Sequence, residues 1–442
     1  MDPILQQEFS PTRALSPPRF VFWAIVIAYF LWPYHDAPSF LLAGKIAILT
    51  ALLVWRPSIS PLLKLKCFRF LVLTSLAYLF FAYLSVWMSY VPWRTFKHVT
   101  EEVSLNLLVF WTALFWSHFS PREEIKRLGR YLFLSFLWVV FLYFFFYALW
   151  LWKGPIIASK YFSPSLYTGP LSLLFNLADW NDWLLNRQNI STYFLFPSSL
   201  ALAYTLLGPD PQKRKRALVI FLFFLGLIFL TSKRSALLGL LIGGVLGTML
   251  ARRSRYLLFL LFLFLGLFLV VWLSPLKSFF VRENFKVLFH GGPQEWKEGG
   301  SIPWRIYGLP FYLDYIKKHP WRGIGFGRLN IKSNPETKAL AKKARLAHAH
   351  NVFLNMALYL GLPGALAFVL FTLNLGICLF FGFKRGSPYA WLVLGFLIYF
   401  VSFWVRYQFD DSFRYATSAF YYLNLGLGLG IASKNENLLS SR

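Results

Sequence analysis

A few side chains in this chain have types and positions that could do chemistry. Lys233 and Arg234 sit in TSKRSALLG, a connection of only a few residues between two apolar runs. Arg187 opens another apolar run in NRQNISTY, and Arg305 begins the amphipathic stretch WRIYGLPFYLDYIKK. His348 and His350 close a long hydrophilic segment in LAHAHNVFLNM, immediately before a further apolar run. Guanidinium groups recognise phosphate oxygens in a planar, bidentate way and do not lose their charge. Imidazole titrates close to working pH and can take or return a proton. Such a set suits a phosphate-bearing substrate. Arg187, Arg234 and Arg305, with Lys233 and Lys45, are the candidates to hold its charge. His350 is the candidate base, unless its imidazole faces the phosphate instead. Asn351, His348 and Arg406 are secondary candidates; His348 would face elsewhere if the following helix has already begun at that point.

Each of these residues also has a plainer reading. Lys233, Arg234 and Arg187 could cap turns and snorkel toward the membrane surface. His350–Asn351 could be a helix start with Asn as its cap. Lys45 lies within an apolar run, a depth at which an ionisable residue is a functional candidate by default, although snorkelling would serve it too. The connecting segments also contain Asp179, Asp182, Asp314, Asp410 and Asp411. None forms a compact Asp-x-Asp pair of the kind that holds a metal on a nucleotide sugar, so neither a metal nor a cofactor is expected.

The elements that must position these residues follow from composition. The 442 residues are 57% hydrophobic and only 14% charged, with a mean hydropathy of +0.53. A soluble globular chain carries about a quarter charged residues. The deficit is filled by Phe, Leu and Trp in runs that approach the roughly 20 residues a helix needs to cross a bilayer. The expected fold is an all-α polytopic membrane protein of about twelve transmembrane helices. The runs fall at approximately 20–35, 38–55, 69–90, 99–119, 129–152, 188–207, 216–231, 235–250, 256–274, 351–382, 388–405 and 413–432. Pro3, Glu8, Pro11, Pro17 and Pro18 precede the first run, and no small-residue cleavage pattern follows it, so it is expected to remain as a span.

Charge orders these runs. The formal net charge of +27 sits mostly in short gaps between spans, which argues against nucleic-acid binding and for loops that set orientation. With the N-terminus inside, every short inner loop is basic: Arg56, Lys64, Lys66 and Arg69; Arg122, Lys126, Arg127 and Arg130; Lys213 to Arg216; Arg252, Arg253 and Arg255; Lys384 and Arg385. Both termini are then cytoplasmic. Two outer connections are long, at 153–187 and 275–350. The second carries fourteen Lys and Arg against five Asp and Glu, which suits either anionic membrane lipids or a phosphate-bearing substrate. Within it, 304–318 and 336–347 read as amphipathic helices at the interface, and Gly291, Gly292, Gly299 and Gly300 mark turns. Cys67 and Cys378 lie in a basic loop and an apolar run, which makes a structural disulfide improbable.

Spacing adds a resemblance. HNVFLNMALYLGLPG places His350 and Asn351 nine residues before Gly361, with Gly364 following after two more. This resembles the His-Asn-x9-Gly-x-x-Gly signature of the O-antigen ligases; Pro363, in its middle, is not required by that spacing. HPWRGIGFGRLN resembles the family's His-Pro-x-x-Gly-x-Gly-x-Gly element through His319, Pro320, Gly323, Gly325 and Gly327. TSKRSALLG is similar to its Ser-x-Arg-Ser turn, and RQNISTYFLFPSSLALAY to the Arg/Gly-x-Asn stretch that begins a middle span. The likeness covers roughly 185–382. The chain accordingly divides into N-terminal spans with the first outer loop (1–187), a ligase/polymerase-like core with its periplasmic loop at 275–350 (188–382), and C-terminal spans (383–442).

The resemblance implies a transferase of lipopolysaccharide biosynthesis in the bacterial cell inner membrane, with its active site facing the periplasm. Its donor would be an undecaprenyl-diphosphate-linked glycan and its acceptor a sugar hydroxyl of lipid A–core, with inversion and without a metal. O-antigen or exopolysaccharide polymerases, which extend the lipid-linked glycan, share the motif set and form the second reading. A transporter or flippase of lipid-linked sugars is the rival outside enzymes. It would call for paired halves with polar residues at the midplane, whereas here charge gathers at the outer ends and the halves do not resemble each other.

Overall fold

The computed structural model describes residues 17, 19–31, 45, 60–63, 66–153, 187–231, 233–273, 301–344, 349–383, 389–409 and 415–434. Apart from Lys45, the run expected at 38–55 lies outside the described residues. So do most of the 153–187 connection, the start of the large loop with its four turn glycines, and His348. The described residues form helices and no strand. The helices used below are α1 (Arg19–Leu31), α2 (Lys66–Trp87), α3 (Pro92–Val99), α4 (Leu105–Phe119), α5 (Arg122–Lys153), α6 (Arg187–Leu207), α7 (Pro211–Leu230), α8 (Arg234–Leu250) and α9 (Ser254–Leu273). They continue with α10 (Ser301–Lys318), α11 (Arg328–Ser333), α12 (Pro335–Ala344), α13 (Val352–Gly382), α14 (Ala390–Tyr407) and α15 (Tyr415–Ser433). A π-helical turn, Thr100–Ser104, joins α3 to α4.

Among the described residues five helices are long and apolar enough to cross a membrane: α2, α6 from Ile190, α9, α13 and α14. The chain is a helical, multi-pass membrane protein. Its surface carries the outward-facing Phe, Leu and Trp side chains that lipid contact allows, Phe262, Phe268 and Leu273 of α9 among them. In lipid every backbone polar group needs an internal partner, which helices provide within one segment. Local chemistry sets their ends. Asp210 caps α7 by accepting from Gln212 N at 2.9 Å and Lys213 N at 3.3 Å, and Pro211 follows at the first helical position, where its missing N–H costs nothing.

Helix α14 lies at the centre, packed against α6, α8, α13 and α15; α2 packs on α13, and α4 on α15. N-terminal and C-terminal helices therefore interleave in one bundle with a continuous buried core. Small residues permit the closest approach. Gly239 and Gly243 of α8 face Ser402 of α14, and a Cβ at Gly239 would lie 2.2 Å from the Ser402 carbonyl oxygen. Close backbone contact of this kind is the usual means of helix association in lipid.

Helix α13 is broken. At Gly361 the backbone leaves the helical region (φ 73°, ψ 173°), and Pro363 follows. In a regular helix the Leu358 carbonyl would accept from Leu362 N–H, and the Tyr359 carbonyl from residue 363, which as proline has no N–H to give. Both orphaned carbonyls are served from outside the helix. Ile324 N donates to Leu358 O at 3.0 Å and Gly325 N to Tyr359 O at 3.1 Å, while Leu362 N turns to Pro320 O at 2.8 Å. The His319–Gly327 element is thus a clasp around the break, and its glycines allow the approach. A Cβ at Gly323 would lie 2.1 Å from the Tyr359 oxygen.

The clasp's other side is tied to the α2–α3 turn. Phe326 N donates to Ser85 Oγ at 3.1 Å, Ser89 Oγ to Asn330 Oδ1 at 2.7 Å, and Asn330 Nδ2 to Thr95 Oγ1 at 2.8 Å. His98 of α3 packs beside Gly327, with its Nδ1 3.2 Å from Glu102 Oε1. The hydrogen bond to that carboxylate raises the His98 pKa above its ordinary 6.5, against the opposing effect of burial.

Two outcomes follow. Gly323→Ala should lower the thermal midpoint in detergent, by about 1–3 kcal/mol of stability for an overpacked site. Gly266→Ala on α9, where a Cβ meets nothing within 4 Å, should leave it unchanged or raise it, since Ala is the better helix former. Because the folded-state pKa of His98 is raised, its contribution is complete below pH 6.5 and is lost as pH climbs through the raised value. The midpoint of wild type should fall over that interval relative to His98→Gln, and parallel curves for the two proteins would refute the coupling.

Candidate active site

The last turn of α14 gathers the candidate residues. Arg406 is fully buried, in the final turn, where a cation suits the negative end of the helix dipole. Its guanidinium donates to Thr192 Oγ1 of α6 and lies 5.4 Å from the centre of the Tyr407 ring. Arg305, near the start of α10, donates to the Phe409 carbonyl. Asn351 Nδ2 donates to Gln408 Oε1 at 2.9 Å, and Gln408 Nε2 donates to the Trp404 carbonyl at 3.2 Å. Residues 404–409 thereby collect contacts from α6, from α10 and from the start of α13.

Asn351 is also the N-cap of α13, accepting from Phe353 N at 3.0 Å and Leu354 N at 3.1 Å. One turn on, Asn355 Oδ1 accepts from Ala349 N at 3.0 Å. His350 is held between these two pinned neighbours in the left-handed region, with φ 51°. A non-glycine residue there costs roughly 1–3 kcal/mol and persists where the surroundings over-determine it. The residue is half-buried, with its Nδ1 shielded from solvent. Since α13 starts only at Val352, His350 precedes the helix, and Asn351 is its cap.

Helix register places the remaining cations. Antiparallel α6 and α14 pair Thr192 with Arg406, Phe196 with Tyr399 and Tyr204 with Trp391. Arg187, the first residue of α6, thus starts at the level of residues 407–409. Gly239 of α8 meets Ser402, so Arg234, which opens α8 just after Lys233, starts near the level of Arg406. Arg187, Arg234, Lys233, Arg305, Arg406, Asn351 and His350 lie at one end of the bundle. Lys45 lies elsewhere in the contact network: its Nζ donates to the Glu101 carbonyl of the π turn at 2.6 Å. Among the described residues no three His, Cys, Asp or Glu side chains cluster as metal ligands would.

Residues 219–369 match the sequence family described as O-antigen ligase. Over that stretch the chain is similar to the O-antigen ligases. The ligase match runs from α7 into α13 and so includes the Lys233–Arg234 turn, Arg305, the whole clasp and His350–Asn351. Arg187, Lys45 and Arg406 fall outside it. No curated protein matches the chain. Thr192, Tyr407 and Gln408 were not evident beforehand. Asn355, four residues after Asn351 and hence on the same helix face, is the one that periodicity could have found.

Replacing Asn351 by Ala should cost about 1 kcal/mol through loss of the cap, read as a lowered thermal midpoint. Asn351→Asp keeps the cap acceptor and removes the donor to Gln408, so it should retain most of that stability. An equal loss in both variants would place the stabilisation in the Gln408 contact.

Proposed function

We propose that this protein transfers a glycan from undecaprenyl diphosphate to a sugar hydroxyl of lipid A–core at the periplasmic face of the bacterial inner membrane. The observation that supports the reading is the meeting of Arg305 and of Asn351, the residue after His350, with Gln408 and Phe409 at the end of α14, beside Arg406, in a chain whose ligase-like segment includes Arg305 and His350. The acceptor oxygen attacks the anomeric carbon from the face opposite the diphosphate. One C–O bond forms as the C1–O bond to phosphate breaks, with inversion. His350 takes the acceptor proton, and Arg187, Arg234 and Arg305 stabilise the charge that passes to the diphosphate. Arg406, too buried to follow a moving substrate, holds the α6–α14 end in register. The reaction needs no metal, because the diphosphate is already an activated leaving group and fixed cations supply the countercharge. The lipid tail stays in the bilayer throughout.

The test is glycan transfer by purified protein in EDTA, offering lipid A–core or a second donor molecule as acceptor. His350→Ala should lower transfer to core by about 10²–10⁴-fold, the usual contribution of a general base, and wild type should be insensitive to EDTA. Elongation of the lipid-linked chain alone would make the protein a polymerase with the same site. Full activity of the histidine variant would refute the mechanism, and no transfer to either acceptor would favour a transporter of lipid-linked sugars.

A further inference from the structure

At the opposite end of the bundle a cavity of about 1430 Å³ opens between α5, α6, α7, α14 and α15. It is larger than the roughly 300–1,000 Å³ of a small-molecule site. Its rim holds Arg122 and Arg130 of α5, Lys213 and Arg216 of α7, and Arg252 and Arg253 of the α8–α9 turn, and among the described residues no Asp or Glu lines it. Below the rim its wall is apolar, reaching Phe136, Phe196 and Phe224. From Lys213 to Phe224 along α7 is about 16 Å at 1.5 Å per residue. That depth is close to the roughly 15 Å of hydrocarbon in one leaflet.

Loop cations are enough to orient a membrane protein, but orientation does not require them to encircle an apolar shaft. Lys126 and Lys213 pair with Glu123 and Asp210, whereas the five rim arginines make no ion pair among the described residues. Three further observations point to an anion. Arg252 has φ 50° and closes α8 in a Schellman turn, with Arg253 N donating to Thr248 O and Arg252 N to Met249 O. Glycine is the residue that position favours, so a cation is kept there against backbone preference. Helix α14 begins beside the rim, at Ala390, with no side-chain cap on its first turn, and a helix N-terminus attracts negative charge. Trp116 also lines the cavity, and its fully buried indole N–H has no hydrogen-bond partner.

We infer that this cavity binds an anionic phospholipid of the adjoining leaflet, with its phosphate among the rim arginines and an acyl chain in the apolar shaft. The site is separate from the transfer reaction and does not depend on it. Binding would fix α5, α7 and the α8–α9 turn against α14, the helix whose far end carries the candidate active site.

The test uses the full chain, delipidated in a mild detergent and titrated with phosphatidylglycerol, phosphatidylcholine or inorganic phosphate. Retained lipid is counted by native mass spectrometry, and the thermal midpoint is followed in parallel. Phosphatidylglycerol should be retained and should raise the midpoint saturably, while phosphatidylcholine and inorganic phosphate should do neither. The double variant Arg130→Gln/Arg216→Gln should weaken retention about thirtyfold, each cation near a headgroup contributing about fivefold. Arg252→Gly should weaken retention while leaving the lipid-free midpoint unchanged or higher, which separates binding from folding. Arg255→Gln, at the same end but outside the cavity lining, should behave as wild type. Equal retention of phosphatidylcholine, a midpoint raised as far by inorganic phosphate, or undiminished retention in the double variant and Arg252→Gly would each overturn the assignment.

Discussion

A backbone carbonyl in an apolar surround has to find a donor, and helix α13 contains two whose own helix cannot supply one. The break at Gly361 and the proline at 363 orphan Leu358 O and Tyr359 O, and Ile324 N and Gly325 N satisfy them from the large loop. An unpaired buried carbonyl costs about 1–3 kcal/mol, so the loop and the helix are stable only together. The upper turns of α13, which end at Asn351 and His350, are aimed by this exchange. The clasp also holds the α2–α3 turn through Ser85, Ser89 and Thr95. One loop element therefore sets the position of the candidate base relative to both halves of the chain.

The second organising element is α14. Its middle is approached closely by the glycine face of α8, and its C-terminal end is met by Thr192, Arg305 and Asn351. Its first turn borders the basic cavity at the other end. Movement of α14 along its axis would disturb both ends at once. Among the described residues the polar contacts at that end tie single side chains to residues 404–409, so they specify register more than they add stability.

Much of this was legible in the sequence, because helix length and helix ends are local matters. The run read as 188–207 is α6, Arg187–Leu207, and the amphipathic stretch at 304–318 is α10, Ser301–Lys318. The capping role of Asn351 also follows from its neighbours alone. Pairing across long separations was not legible. Pro363 looked like an intrusion into the His-Asn-x9-Gly-x-x-Gly spacing, and its missing N–H makes sense only once Gly325 is seen against Tyr359. Gln408 has no distinguishing neighbours, and its partner lies 57 residues away. The rim cations read as orientation signals one loop at a time, and only packing gathers three loops around one shaft.

The order of clasp and broken helix along the chain has a consequence for biosynthesis. Residues 319–327, and the α2–α3 turn that anchors them, are synthesised before α13. The donors are thus already waiting when the segment with the orphaned carbonyls leaves the ribosome. The break in α13 need not exist unsatisfied, provided that the loop is in place first. Permuting the chain so that α13 preceded the loop would keep every contact of the finished fold and yet expose two bare carbonyls during insertion.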